Sequence, residues 1–231
     1  MNHRLLRPLV AEFIATMLFV FFGAGSVVAN AASGNSLGAI GIALAHGVGI
    51  AVLITMTMRI SGGHLNPAVS VGMWLARKID GRTLGSYVVV QLAGGVVGAL
   101  LIQACFPASA ARITSLGTPQ MAASAFGLFG GIGIEALLTF VLMSAVFGTA
   151  VSVEAPSVGG FGIGLAIFTC VLVGGGLTGA AMNPARAFGP ALVSWDWYGQ
   201  VVYWIGPVLG AAAAAAVWKF VLLPKDATEL G

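Results

Sequence analysis

Charge interrupts this chain at long intervals. No Asp, Glu, Lys or Arg lies between Glu12 and Arg59, and further uncharged stretches cover 83–111, 113–134, 136–153, 155–185 and 197–218. A helix needs about 20 apolar residues to cross a bilayer core of ~30 Å. Most of these stretches hold one such helix. The first holds two, divided by the turn formers Asn30, Ser33, Gly34, Asn35 and Ser36. The pattern therefore predicts six spans, at about 7–29, 37–59, 83–105, 127–150, 160–177 and 199–222. Two shorter apolar segments remain, 66–76 and 183–193. At about 11 residues each they would extend ~16 Å as helices, half of the bilayer core.

The basic residues give this arrangement an orientation. Arg4 and Arg7 precede the first span, Arg59, Arg77, Lys78 and Arg82 separate the second from the third, and Lys219 and Lys225 close the chain. Six spans put all three groups on one side, the cytoplasmic side by the positive-inside rule, with both termini there. The chain also repeats itself. Glu12 and Thr16 match Glu135 and Thr139 at an offset of 123, and Gly41-Ile42-Ala43-Leu44-Ala45 matches Gly162-Ile163-Gly164-Leu165-Ala166 at 121. Asn66-Pro67-Ala68 matches Asn183-Pro184-Ala185 at 117, and Tyr87 and Gly94 match Tyr203 and Gly210 at 116. Such self-similarity marks an internal repeat. Three spans per repeat is odd, so the second copy, about 126–223, lies inverted against the first, about 5–105. Inverted repeats place a shared site at the bilayer midplane, where broken helices meet.

Composition narrows the class. Of 231 residues, 58% are apolar and 7% charged, against roughly a quarter charged in soluble domains. Neither a water-soluble globule nor a disordered chain is built this way. The net charge of +3 forms no basic stripe, so nucleic acid is excluded as a partner. Cys105 and Cys170 lie in apolar surroundings and form no metal-ligand or disulfide pattern. The basic N-terminus followed by an apolar run resembles a signal peptide, but 13–29 is long for one and five more spans follow, so it is read as a retained helix. No catalytic constellation, phosphate-binding loop or cofactor motif is present in the sequence. The chain's 34 glycines suit helices packed closely in lipid, with Gly94/Gly98 and Gly206/Gly210 as contact pairs.

The chemistry concentrates at the two short segments. Asn caps free backbone donors and Pro at the first helical position leaves no N–H unpaired, so Asn66-Pro67 and Asn183-Pro184 start two half-helices. Non-helical backbone precedes each, and at membrane depth it is tolerated only beside a water-filled cavity or buried in protein. The carbonyls of Gly62, Gly63, His64, Gly179 and Ala181 are therefore expected to face a pore. Inversion brings the two N-termini together, each with about half a positive charge, and Arg186 adds another. Cations and protons are repelled, while the Asn amides offer hydrogen bonds to a small neutral solute.

Ala11-Glu12-Phe13, Ser61-Gly62-Gly63-His64-Leu65-Asn66-Pro67-Ala68-Val69 and Met182-Asn183-Pro184-Ala185-Arg186 together resemble the aquaporins of the major intrinsic protein family, over nearly the whole chain. The resemblance implies an all-α membrane protein with six transmembrane helices and two re-entrant half-helices, in one channel domain over 1–231. It implies a passive channel for water and small neutral solutes, without cofactor or metal, as a homotetramer in a lipid bilayer. It maps a four-residue constriction onto His46, Val171, Ala180 and Arg186, and gives Glu12 and Glu135 the role of holding the loops that enter the half-helices.

The His46/Val171 pair departs from the usual Phe/His of water-specific members and resembles the plant tonoplast branch, as do Met182–Val193 and Tyr203-Trp204. With Val171 and Ala180 small, neutral ammonia is expected to pass beside water. A glycerol facilitator is the alternative, but such proteins carry Asp after the filter Arg, where Ala187 stands here. An ion-coupled secondary transporter and a non-conducting structural protein are more distant alternatives. A bacterial inner membrane is the expected location.

Overall fold

The computed structural model describes residues 3–224; Lys225, counted above among the cytoplasmic basic residues, lies outside them. Nine α-helices run in the order α1 (His3–Ala32), α2 (Gly38–Thr57), α3 (Pro67–Leu75), α4 (Gly81–Cys105), α5 (Ala108–Ile113), α6 (Ala123–Val146), α7 (Phe161–Thr178), α8 (Pro184–Ser194) and α9 (Gln200–Val217) among the described residues. Single π-helical turns, Phe147–Val151 and Trp218–Leu222, extend α6 and α9. Six of these segments are long and apolar enough to cross a membrane, and they coincide with the six predicted spans. Gly127 (φ 61°) breaks the start of α6 where the span was expected to begin. The half-helices α3 and α8 fall within the two predicted short segments.

The helices are apolar on both faces, for two reasons. On α2, Ile40, Leu44, Val48, Val52 and Met56 recur every fourth residue and are exposed, which makes a stripe facing lipid. Ala43, His46, Gly47, Ile50, Leu53 and Ile54 occupy the buried face. The predicted break between α1 and α2 is a turn held by Asn30, whose Oδ1 accepts from the Gly38 amide at 2.9 Å and whose Nδ2 donates to Asn35 Oδ1 at 3.0 Å. At the other face of the bundle, Asp80 caps α4 by accepting from Thr83 N at 2.7 Å. Its hydrogen bonds with Thr83 hold its carboxyl below the usual carboxylate range. The cap is therefore intact at neutral pH and is lost only as acid titrates it through that lowered value.

The repeats interlock. Within each, the first span packs on the third, α1 on α4 and α6 on α9, while α2 and α7 meet across the centre. Each half-helix leans on the other repeat's third span, α8 on α4 and α3 on α9. Backbone contact needs glycine here. A Cβ at Gly94 would lie 2.5 Å from Phe13 O, and one at Gly98 2.5 Å from Met17 O. Gly94→Leu is expected to destabilise the bundle by about 1–3 kcal/mol, read as a lowered unfolding temperature in detergent. At the α2/α7 crossing Gly47 and Gly164 face each other's carbonyls. Their offset is 117, equal to that of the two Asn-Pro-Ala motifs. The register of these two helices is therefore 117, not the 121 read from the Gly-Ile strings, because the crossing on the pseudo-twofold axis fixes it.

Candidate functional site

The two Asn residues meet. Asn66 and Asn183 each take an extended conformation as N-caps of α3 and α8. Asn66 Oδ1 accepts from Ala68 N at 2.8 Å, and Asn183 Oδ1 accepts from Ala185 N at 2.9 Å and Arg186 N at 3.3 Å. Both amides then reach across the repeat boundary. Asn66 Nδ2 donates to Met182 O at 2.8 Å, and Asn183 Nδ2 donates to Leu65 O at 2.9 Å. A primary amide has two N–H bonds, so each Asn keeps one for the lumen, which both residues line.

Two buried carboxylates hold the loops that deliver these caps. Glu12 Oε1 accepts from Ser61 Oγ at 2.6 Å and His64 N at 2.9 Å, and its Oε2 from Leu65 N at 2.6 Å. Glu135 repeats the pattern with Thr178 Oγ1 at 2.6 Å, Ala181 N at 2.9 Å and Met182 N at 2.7 Å. Tyr87 donates to Ser61 O at 2.7 Å and Tyr203 to Thr178 O at 2.8 Å. The one asymmetry is Gln91, which adds a fourth donor to Glu12 at 2.9 Å; its counterpart is Pro207.

With their N–H groups turned toward the carboxylates, the loops adopt left-handed backbone at Gly62, Gly63 and Leu65, and again at Gly179, Ala180 and Met182. Outside glycine this costs about 1–3 kcal/mol per residue, offset here by the buried hydrogen bonds. The carbonyls of Gly62, Gly63, His64, Gly179, Ala180 and Ala181 accept no hydrogen bond from the described residues. Gly63, His64, Ala180 and Ala181 line the inner cavity and Gly179 the outer vestibule. Gly62 is exposed at the turn that precedes Gly63 and His64.

The four mapped constriction residues gather where two cavities meet. An outer vestibule of ≈720 Å³ is lined by His46, Val171 and Arg186. An inner cavity of ≈20 Å³ is lined by His46, Ala180, both Asn residues and an aliphatic wall that includes Ile50, Ile54, Leu142 and Ile163. A single water needs roughly 10–15 Å³ on this measure, so the inner cavity has room for a water or two.

Arg186 is 2% exposed. Its Nη1 donates to Gly117 O at 2.7 Å, and its Nη2 lies 3.4 Å from His46 Nε2. Nε has no protein partner among the described residues. His46 Nδ1 lies 2.9 Å from Ile42 O. A carbonyl can only accept, so Nδ1 carries the proton and Nε2 offers its lone pair to the guanidinium. Among the described residues no carboxylate hydrogen-bonds Arg186, whose guanidinium partners are a carbonyl and an imidazole.

One residue of the site carries no signal in the sequence. Gly117 sits in a loop after α5, in left-handed conformation (φ 74°) and against the backbone of Ala24. Its carbonyl acts through position alone, which a sequence does not display. Ser61 and Thr178 did carry one, as two hydroxyl residues at the same 117 offset. The His64 ring packs against the first half-helix, its Nδ1 3.0 Å from Ser70 Oγ.

A profile of the major intrinsic protein family matches residues 1–218. The chain is 38% identical over 229 residues to "Probable aquaporin TIP2-2" of Oryza sativa subsp. japonica, covering 96% of this chain and 89% of that one. It is 34% identical over 236 residues to "Probable aquaporin TIP3-2" of Arabidopsis thaliana, covering 95% and 85%. In fold it is similar to the aquaglyceroporin from Plasmodium falciparum, with a TM-score of 0.83 at 24% identity over 98% of this chain and 99% of that one.

Proposed function

The chain belongs to the major intrinsic protein family, on the aquaporin side of it, and from that premise we propose that it is a passive channel admitting water and neutral ammonia while excluding ions and protons. The observation that carries this is the reciprocal bonding of Asn66 and Asn183, which leaves two amide donors beside a water-sized cavity. A water that accepts from both presents its own hydrogens away from the caps, toward each half of the pore, and the positive helix ends oppose a proton moving through it. His46, Val171, Ala180 and Arg186 form the selectivity filter in this reading, and the free carbonyls supply acceptors along one wall.

Among the described residues no Phe, Tyr or Trp lines the vestibule side of the filter, so glycerol lacks a broad apolar ring for its carbon backbone. An ion-coupled transporter would bind its ion at an acidic or unwound site; Glu12 and Glu135 are instead engaged by loop and helix donors, and the unwound loops end at two positive helix termini and Arg186. The relatives are TIP-type aquaporins of plants and lend no support to a bacterial inner membrane, so the proposal keeps a multi-pass membrane protein with cytoplasmic termini and names no organelle. It includes a homotetramer with one lumen per subunit and one channel unit over 1–231; cross-linking in detergent reads the stoichiometry.

Proteoliposome fluxes of water, ammonia and glycerol test the reading. Fast water and ammonia with slow glycerol are expected, and fast glycerol with slow water overturns it. His46→Phe fills the polar corner and is expected to lower ammonia flux relative to water by roughly tenfold.

A further inference from the structure

Gly23 differs from the glycines of the α1/α4 crossing. A Cβ at Gly94 or Gly98 would strike the backbone of α1, so those residues serve helix packing. A Cβ at Gly23 would lie 2.7 Å from His46 Cδ2, 2.8 Å from Nε2 and 3.4 Å from Cε1. Those three nearest atoms all belong to one imidazole ring. The missing side chain leaves the seat in which that ring lies.

The ring has no other place to go without loss. Its Nδ1 is tied to Ile42 O at 2.9 Å, Phe19, one turn before Gly23, meets it edge-on with centroids 6.1 Å apart, and Nε2 faces Arg186. The second repeat supplies a comparison within the same molecule. By the offsets of 123 for the first spans and 117 for the second, Phe19, Gly23 and His46 correspond to Leu142, Val146 and Ile163. All three of these line the inner cavity. Where the second span carries an imidazole, the first carries glycine; where it carries an aliphatic side chain, the first carries valine.

We propose that Gly23 is a specificity-determining positioning residue: its bare Cα seats the His46 ring so that Nε2 meets Arg186 with the lumen still open. The proposal rests on the reading of His46 as a filter residue. In Gly23→Ala the added methyl drives the ring off α1, into the lumen and out of register with the guanidinium.

The test is a two-by-two set of proteoliposome permeabilities for water, ammonia and glycerol, with wild type, Gly23→Ala, His46→Ala and the double variant. Gly23→Ala alone, whose extra methyl forces the ring off its seat, is expected to cut water permeability by about fivefold and to change the ammonia-to-water ratio. His46→Ala is expected to raise glycerol flux. In the double variant the seat is empty, and the fluxes are expected to equal those of His46→Ala. Wild-type fluxes and ratios in Gly23→Ala overturn the proposal while leaving the filter reading in place. So does an equal loss from Gly23→Ala in both backgrounds, because the methyl then acts on helix packing. Wild-type solute ratios in His46→Ala overturn the filter reading itself, and the proposal with it.

Discussion

Glu135→Ala is expected to prevent recovery of a folded channel. The carboxylate accepts from the Thr178 hydroxyl and from the amides of Ala181 and Met182, all buried. Each orphaned buried donor costs about 1–3 kcal/mol, so the loss amounts to about 3 kcal/mol or more. The same bonds hold Ala180 and Met182 in left-handed backbone; without them the loop relaxes and withdraws Asn183 from its meeting with Leu65 O. The measurement is the yield and unfolding temperature of the detergent-purified protein. Glu135→Gln, which keeps one acceptor oxygen, is expected to fall between the variant and wild type. Wild-type stability in Glu135→Ala would show that the loop is held by something else.

Arg186→Val is expected to leave water flow largely intact and to open the lumen to cations. The guanidinium is buried at the junction of vestibule and inner cavity, and no carboxylate among the described residues hydrogen-bonds it. A unit charge acting on a monovalent ion at ~4 Å is worth about 4 kcal/mol at an effective dielectric of ~20. The two helix N-termini remain as partial charges, so an increase in proton and cation leak of about a hundredfold is expected. Conductance across a planar bilayer, normalised to osmotic water permeability, reads it. An unchanged leak would mean that the helix ends exclude cations alone.

What could be read from the sequence divides along a physical line. Helices in lipid are dictated by long uncharged runs, so the spans and half-helices were legible to within a few residues. Asn66, Asn183, Glu12 and Glu135 were legible because each type is rare or costly where it stands and because each recurs in the repeat. The filter was legible differently: nothing in the local pattern around His46 or Val171 singles them out, and only the family resemblance maps them. Gly117 and Gly23 were not legible at all. One acts through a carbonyl that every residue has, the other through a side chain it lacks, and both roles exist only once α1 and the loop after α5 are in place. The misread register of α2 against α7 came from matching similar strings, where the crossing of Gly47 with Gly164 sets the true alignment.

An experimental density map of the wild-type protein in lipid, at a resolution that shows ordered water, bears most directly on the central claim. The account predicts a single file of water passing Arg186, with one water within hydrogen-bonding distance of both Asn66 Nδ2 and Asn183 Nδ2. A dry lumen, or two Asn side chains that do not share a water, would contradict it.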